Sequence, residues 1–179
     1  ILGGARFSQL FTARCTRYAV SAMAPSARPE NHTDHGVSAS LIASMAVSDV
    51  AARGYFGKIR LAGKRGTSNV GILRGGETTN QVTDHVYAKG ESRSHDPRFV
   101  TKITETYRKA FERAARKVKN HRGERGRVEF RARTDYVPFR LERDEPVVRA
   151  AMKCARAVGL RPRLSVADGG LDANHLTAR

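Results

Sequence analysis

The spacing of hydrophobic residues predicts two amphipathic helices in the first part of the chain. The first is expected over residues 36–52, with Asp34 as its N-cap and Gly54 as its stop. The second is expected from Pro97 onward, behind Asp96 as its N-cap. The side chains expected to face a core are Val37, Leu41, Ile42, Met45 and Val50 in the first helix, and Phe99, Ile103, Tyr107, Ala110, Phe111, Ala114 and Val118 in the second.

Strands are predicted where apolar and polar residues alternate, or where a short apolar run stands beside glycines. Four strands are expected, at residues 15–23, 68–73, 82–93 and 127–136. Residues 54–66 are rich in Gly, Lys and Arg and are expected to form a loop or a ragged strand. The resulting β-α-β-β-α-β order predicts a ferredoxin-like α+β sandwich, with two helices on one face of an antiparallel sheet.

The pattern changes after Pro138. A further amphipathic helix is expected at residues 145–158, then a short strand at 163–166, and a Gly-rich turn that leads into a helix at 172–179. This change indicates a boundary between two domains. The predicted organisation is a domain at residues 29–138 and part of an α/β domain at residues 139–179. Residues 1–28 are a segment outside both domains. The open alternative is that this segment contains the first strand of the sandwich.

The charge of the chain leaves a nucleic-acid-binding function open. Among 179 residues, 33 Lys and Arg stand against 17 Asp and Glu, a net charge of +16. Only 7% of the residues are aromatic, however, and the basic residues are mixed with acidic ones rather than clustered, which disfavours a base-stacking surface. Cys15 and Cys154 lack metal-ligand spacing, and no apolar run is long enough for a membrane span, so a cytoplasmic location is expected.

The beginning of the chain has the composition of a targeting segment. Residues 1–29 contain four Arg and no Asp or Glu, as mitochondrial transit peptides do. The alternative is a start rich in strands. The second interpretation is favoured, because a transit peptide is normally removed from the mature protein.

Three segments together resemble a family of zinc-dependent exopeptidases. They are Asn69–Asp96 (NVGILRGGETTNQVTDHVYAKGESRSHD), Tyr136–Val148 (YVPFRLERDEPVV) and Gly169–Arg179 (GGLDANHLTAR). Their order and spacing are similar to those in the family of tripeptide aminopeptidase (peptidase T), carboxypeptidase G and succinyl-diaminopimelate desuccinylase. The resemblance covers residues 29–179. It implies that residues 29–138 form the family's lid and dimerisation domain, and that residues 139–179 are part of its catalytic domain.

The resemblance also implies a chemistry that this chain does not complete. Family members use two zinc ions, a Glu general base and a lid that closes over a short peptide. Their His-x-Asp motif, bridging Asp and Glu-Glu pair have no counterpart in these 179 residues. We therefore expect no zinc pair and no peptide hydrolysis from this chain alone. The implied roles are substrate grip and formation of a homodimer through the lid, and the alternatives are a basic nucleic-acid-binding module or a non-catalytic dimerisation module.

Six residues are carried over as candidate substrate-binding positions by their place in the motifs. Arg93 and Asn80 match the lid residues that grip the substrate's carboxylate or backbone, for which a guanidinium fork and an amide are suited. The alternatives are a solvent-facing strand end for Arg93 and a turn residue for Asn80. The other four belong to the Gly-Gly-x-Asp-x-Asn turn. One interpretation is that the backbone amides of this turn bind an oxyanion, and the other is that the turn caps a helix. The four residues are Gly169, Gly170, Asp172 and Asn174.

Histidines give two further observations. Met23 stands where the family's first lid strand carries a His that reaches the partner subunit's active site, and a thioether cannot replace that charged donor. His32 and His35 follow in the run ENHTDH, where a metal pair with Asp34 is one interpretation and a simple turn is the favoured one. His175 lies outside the family's ligand pattern and is expected at a helix surface.

Overall fold

The computed structural model describes residues 6–8, 13–25, 34–166 and 169–176. In this part of the chain, one antiparallel sheet carries two helices, which confirms the predicted α+β sandwich. The strands are β1 (Arg6–Ser8), β2 (Arg14–Met23), β3 (Gly57–Leu61), β4 (Lys64–Gly75), β5 (His85–Ser94), β6 (Arg127–Tyr136) and β7 (Arg163–Ser165). The helices are α1 (Ala39–Ala52), α2 (Pro97–Lys117), α3 (Pro146–Ala157) and α4 (Ala173–Leu176). None of the described helices is both long and apolar enough to cross a bilayer.

The main sheet has five strands in the order β3-β4-β5-β2-β6, and all neighbours are antiparallel. Without its edge strand β3, this is the strand order of a ferredoxin-like sandwich. Strand β2 is central, since it pairs with both β5 and β6. It lies at residues 14–23, so the strand in the N-terminal segment belongs to the same sheet as β3, β4, β5 and β6. Strand β1 instead pairs in parallel with β7, beyond the predicted boundary. The proposed domain limits at 28 and 138 remain predictions.

Of the two alternatives for residues 54–66, the loop is wrong and a strand is found, because residues 57–61 and 64–66 pair in the β3–β4 hairpin. Leu61 pairs with Lys64 across a two-residue turn at Ala62 and Gly63, which have φ angles of 48° and 74°. Two positive φ values are the signature of a hairpin turn that matches the twist of the strands. Ala is rare at the first of these positions, and this hid the hairpin in the sequence.

Helix α1 begins later than predicted, and its cap differs. Ser38, rather than Asp34, is the N-cap, and its hydroxyl accepts a 3.1 Å hydrogen bond from the Leu41 amide. Ile42 and Val50 are buried as expected, but Leu41 is 49% exposed and Met45 is only half-buried. The expected core face of α1 is therefore partly wrong, because this helix is apolar on its outer side as well.

Helix α2 follows its sequence pattern closely. Asp96 caps it by accepting hydrogen bonds from the amides of Arg98 and Phe99, at 2.8 and 3.1 Å. Its predicted stripe is buried from Phe99 to Ala114, with Val118 packed at the margin. The stripe covers the inner face of the sheet. At its centre the Tyr107 ring lies 4.7 Å from that of Tyr18, and the Tyr107 hydroxyl is 2.8 Å from the Ser68 hydroxyl.

Tyr18 requires a glycine on the adjacent strand. Its Cα partner is Gly90, and a Cβ on Gly90 would overlap both the Tyr18 hydroxyl and the Asn69 carbonyl oxygen. The same hydroxyl donates a 3.2 Å hydrogen bond to that carbonyl. Because burial raises the pKa of Tyr18 well above its ordinary value, the hydroxyl stays a neutral donor.

We predict that Gly90→Ala lowers the free energy of unfolding by about 1–3 kcal/mol, the usual cost of overpacking a core. Gly71→Ala on β4 is the matched control, since the nearest atom to a Cβ there is 3.7 Å away. Urea denaturation of both variants measures the difference. Equal stability of the two variants would contradict this account of the core.

Candidate functional site

An open cavity of about 670 Å³ lies where the ends of β2, β5 and β6 meet the Gly169–Asp172 turn. Ligand pockets usually have volumes in this range. Four of the six predicted site residues line the cavity, namely Arg93, Gly169, Gly170 and Asp172. The sequence did not single out four others that line it, namely Arg17, Arg133, Asp135 and Tyr136.

Arg93 is the half-buried cation of the cavity. It lies near the end of β5, opposite Cys15 on β2, and its Nη2 donates a 3.0 Å hydrogen bond to the Glu91 carboxylate. Burial lowers the pKa of Arg93, but the hydrogen bond to Glu91 and the charge interactions with Tyr136, Glu91 and Cys15 together give a net upward shift, so the guanidinium stays charged. Its Nε is buried and has no hydrogen-bond partner among the described residues. A buried guanidinium N–H without a partner is costly, and a bound acceptor removes that cost.

Two more arginines share one carboxylate beside Arg93. Arg17 and Arg133 are Cα partners on β2 and β6, and both contact Asp135. The Arg17 Nε lies 2.7 Å from Asp135 Oδ2, and the Arg133 Nε lies 3.2 Å from Asp135 Oδ1. Asp135 is only 12% exposed, whereas the arginines extend toward solvent. The cavity therefore presents guanidinium edges held in place by a partly buried acid, an arrangement suited to a carboxylate or another anion.

Tyr136 forms a neutral wall of the cavity. Its hydroxyl lies beside the sulfur of Cys15, which is fully buried. Burial raises the pKa of the Tyr136 hydroxyl and of the Cys15 thiol, so both are uncharged at neutral pH. Neutral groups here leave the positive charge of Arg93 unopposed on this side.

The Gly169–Asp172 turn is held against the end of β6. Gly170 packs on the Tyr136 ring so closely that a Cβ would overlap it. Asn174 is 1% exposed, donates a 2.7 Å hydrogen bond to the Val137 carbonyl and accepts one of 2.8 Å from the Leu171 amide. Its amide therefore positions the turn. The helix predicted to run from Asp172 to Arg179 is described only as α4, and residues 177–179 lie outside the described residues.

Asn80 lies away from the cavity. It occupies the exposed turn between β4 and β5, whereas Arg93 is at the other end of the ten-residue strand β5. A strand of that length spans about 30 Å, so the two residues cannot grip the same small ligand within one chain. Met23 lies at the same end as Asn80, where it pairs with His85. His175 stands at the cavity, with its ring centroid 6.5 Å from that of Tyr136.

The cavity does not fit a pair of zinc ions. Three guanidinium groups line it, and its partly buried carboxylate, Asp135, is already engaged by two of them. Cations are repelled by such a set, whereas zinc sites use neutral imidazole, thiolate and carboxylate ligands. The cavity is therefore interpreted as an anion-binding site.

No model of a known protein family matches the sequence. A curated protein, the uncharacterised protein YqjE of Bacillus subtilis, is 33% identical over 141 residues, which are 79% of this chain and 34% of that protein. The chain thus spans about a third of the length of this relative.

Solved structures of longer enzymes share the fold. A tripeptidase from Staphylococcus aureus matches 94% of this chain with a TM-score of 0.77 and 27% identity, and the aminopeptidase PepT from Bacillus cereus matches 98% with a TM-score of 0.77 and 26% identity. The chain covers 42% and 43% of those two chains. An amidase of the hydantoinase/carbamoylase family from Burkholderia vietnamiensis shares the fold, with a TM-score of 0.71 and 20% identity.

The fold of the chain is shared with part of these peptidases and of the amidase. The resemblance predicted from the sequence is confirmed: the chain is a relative of the tripeptidases and PepT aminopeptidases. It corresponds to less than half of those enzymes, in keeping with a lid and dimerisation domain and its surroundings.

We predict that Gly170→Ala displaces the turn from β6 and weakens binding of any ligand in the cavity, because the new methyl group collides with the Tyr136 ring. Gly169→Ala is the control, since a Cβ there meets no atom within 4 Å. Amide NMR spectra of the two variants provide the measurement. Shifts at Tyr136 and Asn174 that are large for Gly170→Ala and small for Gly169→Ala are expected, and the reverse pattern would refute the contact.

Proposed function

We propose that the chain is the lid and dimerisation part, with a piece of the catalytic domain, of a zinc-dependent exopeptidase that acts on short peptides. In this proposal the cavity holds the carboxylate of the substrate. The observation that carries it is the half-buried Arg93, whose Nε lacks a partner among the described residues in a cavity of ligand size. The neighbouring tripeptidase and PepT structures support a peptide as the ligand.

The chemistry of the cavity favours a carboxylate over other groups. A guanidinium offers five N–H donors in a plane, and Glu91 occupies only one side of that of Arg93. Arg17 and Arg133 add positive charge nearby, while the neutral Tyr136 hydroxyl adds none. Charge-assisted hydrogen bonds to a planar acid are stronger than those between neutral groups. The free C-terminal carboxylate of a peptide meets this requirement, and an amidated C-terminus does not.

Substrate grip, rather than bond cleavage, is the role we assign to this chain. The zinc ions and the general base of the intact enzyme would come from parts that these 179 residues do not match, so the chain alone is proposed to be inactive. Action at the amino terminus of the peptide is proposed by analogy with the PepT neighbour. The two free cysteines suit the cytoplasmic location that we also propose.

The nucleic-acid alternative gains no support from the open face of the sheet. Tyr87 and Tyr136 are the two Phe or Tyr side chains on that face among the described strands, and they lie at opposite ends of it. Several of its arginines are paired with acids, as in the pairs of Arg93 with Glu91 and of Arg131 with Glu129. Single-stranded nucleic acids are bound by aromatic stacking on a basic groove, and this face lacks the aromatic part.

We predict that Arg93→Ala weakens tripeptide binding by about 1.5–3 kcal/mol, the usual range for a hydrogen bond to a charged group. Arg131→Ala is the matched control, because Arg131 also pairs with a Glu two residues earlier on a strand but does not line the cavity. NMR titration of the chain with a tripeptide, and with the same tripeptide amidated at its C-terminus, measures both affinities.

The carboxylate assignment is tested by the same titration. The amidated tripeptide is expected to bind the wild-type chain as weakly as the free acid binds Arg93→Ala. Equal affinity for acid and amide would show that the terminus does not contact Arg93. Equal losses of tripeptide affinity in Arg93→Ala and Arg131→Ala would mean that the effect comes from the general positive charge of the chain.

The outer face of α1 is proposed as the contact with a second copy of the chain. The fourteen residues of α1 include one charged side chain, Asp49, which pairs with Arg53 and with Arg113 on α2. The outer face is left with small and apolar groups, such as Ser44, Ser48 and the exposed Leu41. Two copies that each carry a charge of +16 repel one another, so a stable contact needs an uncharged patch of this kind.

We predict that the wild-type chain is a dimer and that Leu41→Lys makes it a monomer, because a Lys at this position puts two like charges into the contact. Leu73→Lys is the control, since Leu73 on β4 is similarly exposed, at 52%, but lies on another surface. Size-exclusion chromatography with light scattering gives the mass. A dimer that persists in Leu41→Lys and is lost in Leu73→Lys would move the contact to the sheet.

A further inference from the structure

Three side chains that can bind a metal ion meet on the lid domain, at the end of the sheet away from the Arg93 cavity. Asp34 and His35 lie in the turn before α1, and His121 lies in the loop between α2 and β6. Their potential ligand atoms all lie within 4.8 Å of one another, although Asp34 and His121 are separated by 87 residues in sequence. No signal in the sequence connects the run ENHTDH with His121. His32, which belongs to this run, lies outside the described residues.

The two loops are fixed to each other by hydrogen bonds. Asn120 is buried, and its Nδ2 donates a 2.9 Å hydrogen bond to the carbonyl of His35. Its Oδ1 accepts from the amides of Arg122 and Glu124, at 3.0 and 2.9 Å. The amide of His121 also donates to the Asp34 carbonyl, at 3.0 Å. The backbones that carry the three side chains are therefore positioned before any ion binds.

The orientation of His121 suits a ligand. Its Nδ1 lies 3.1 Å from the Asp34 carbonyl oxygen. A carbonyl only accepts, so Nδ1 carries the proton and the lone pair is on Nε2. Histidines that bind metals are typically held in this way, with one ring nitrogen donating to a carbonyl and the other facing the ion. The His121 ring also stacks on that of His35, with centroids 4.3 Å apart and an angle of 30° between the planes.

We propose that Asp34, His35 and His121 bind one divalent transition-metal ion, with zinc as the best match. Two imidazoles and a carboxylate are ligands that zinc accepts, at distances of about 2.0–2.2 Å, and solvent completes the tetrahedron. Two ligand atoms of a tetrahedral zinc ion lie about 3.3–3.6 Å apart, so the ligand atoms of the cluster must approach one another by up to about 1.5 Å when an ion binds. The ion would clamp the turn before α1 to the end of α2.

This site does not belong to the zinc pair that the resemblance implies. None of its three residues lies in the His-x-Asp motif or the Glu-Glu pair of that family. It also does not depend on the carboxylate cavity, so either proposal can fail without the other. Lys119 lies nearby, and its positive charge repels a cation. Binding therefore needs the negative charge of the Asp34 carboxylate and histidines in their neutral form.

The test is a calorimetric titration of the untagged, metal-stripped 179-residue chain with zinc at pH 7.5. One zinc ion per chain is expected, with affinity reduced more than about tenfold in His121→Ala. His175→Ala is the matched control, because it removes a histidine from the other end of the sheet, and it should bind as the wild type does. Asp34→Asn, which keeps the size of the side chain, is the second variant in case His121→Ala does not fold.

Two readouts separate this site from binding elsewhere. Zinc is expected to raise the melting temperature of the wild type and of His175→Ala, but not that of His121→Ala or Asp34→Asn. X-ray absorption at the zinc edge should show nitrogen and oxygen ligands without sulfur, which excludes the exposed Cys154 as a ligand. No saturable binding of one zinc ion by the wild type, or wild-type affinity in both ligand variants, would overturn the proposal.

Discussion

The burial of Tyr18 on the central strand fixes the arrangement of the sheet. Its ring is packed between the Tyr107 and Phe130 rings, at 4.7 and 5.5 Å, and only a glycine fits beside it at position 90. Successive side chains of a strand point to opposite faces. With Tyr18 directed toward α2, Arg17 must lie on the open face. A shift of one residue in this strand would exchange the core and the solvent face.

The cavity follows from that register. Arg17 on β2 lies beside Arg133 on β6, and Arg93 on β5 lies beside Cys15, so three guanidinium groups converge at one end of the sheet. The Gly169–Asp172 turn then closes this end, because Gly170 can approach the Tyr136 ring without a Cβ. The arginine-lined cavity is thus a consequence of pairing between strands that lie far apart in sequence. The group of Asp34, His35 and His121 at the opposite end is likewise brought together by tertiary structure, through two loops.

The sequence predicted the parts of this fold that local patterns encode. The hydrophobic residues of helix α2 and strand β6 have a clear periodicity, and the Asp96 cap is a local sequence signal. All three predictions are confirmed. The β3–β4 hairpin was missed because Ala62 occupies a turn position at which Asn or Asp is usually found. The outer face of α1 was misassigned because an exposed apolar side chain on a helix has the same sequence pattern as a buried one.

The site was predictable only in part for a related reason. Arg93 and the Gly-Gly turn were found through their motifs, but Arg17, Arg133 and Asp135 have no local signature. Their significance depends on the register of β2 against β6, which a single sequence does not reveal. The grouping of Asp34 and His35 with His121 depends in the same way on two loops that only the tertiary structure brings together.

The most direct test of the central claim is a crystal structure of this chain grown with a saturating tripeptide. The account predicts that the α-carboxylate of the peptide lies within hydrogen-bond distance of the Arg93 guanidinium, with the peptide running along the Gly169–Asp172 turn. A peptide bound at the Asn80 end of the β4–β5 hairpin, with the Arg93 guanidinium contacting only Glu91, would contradict it.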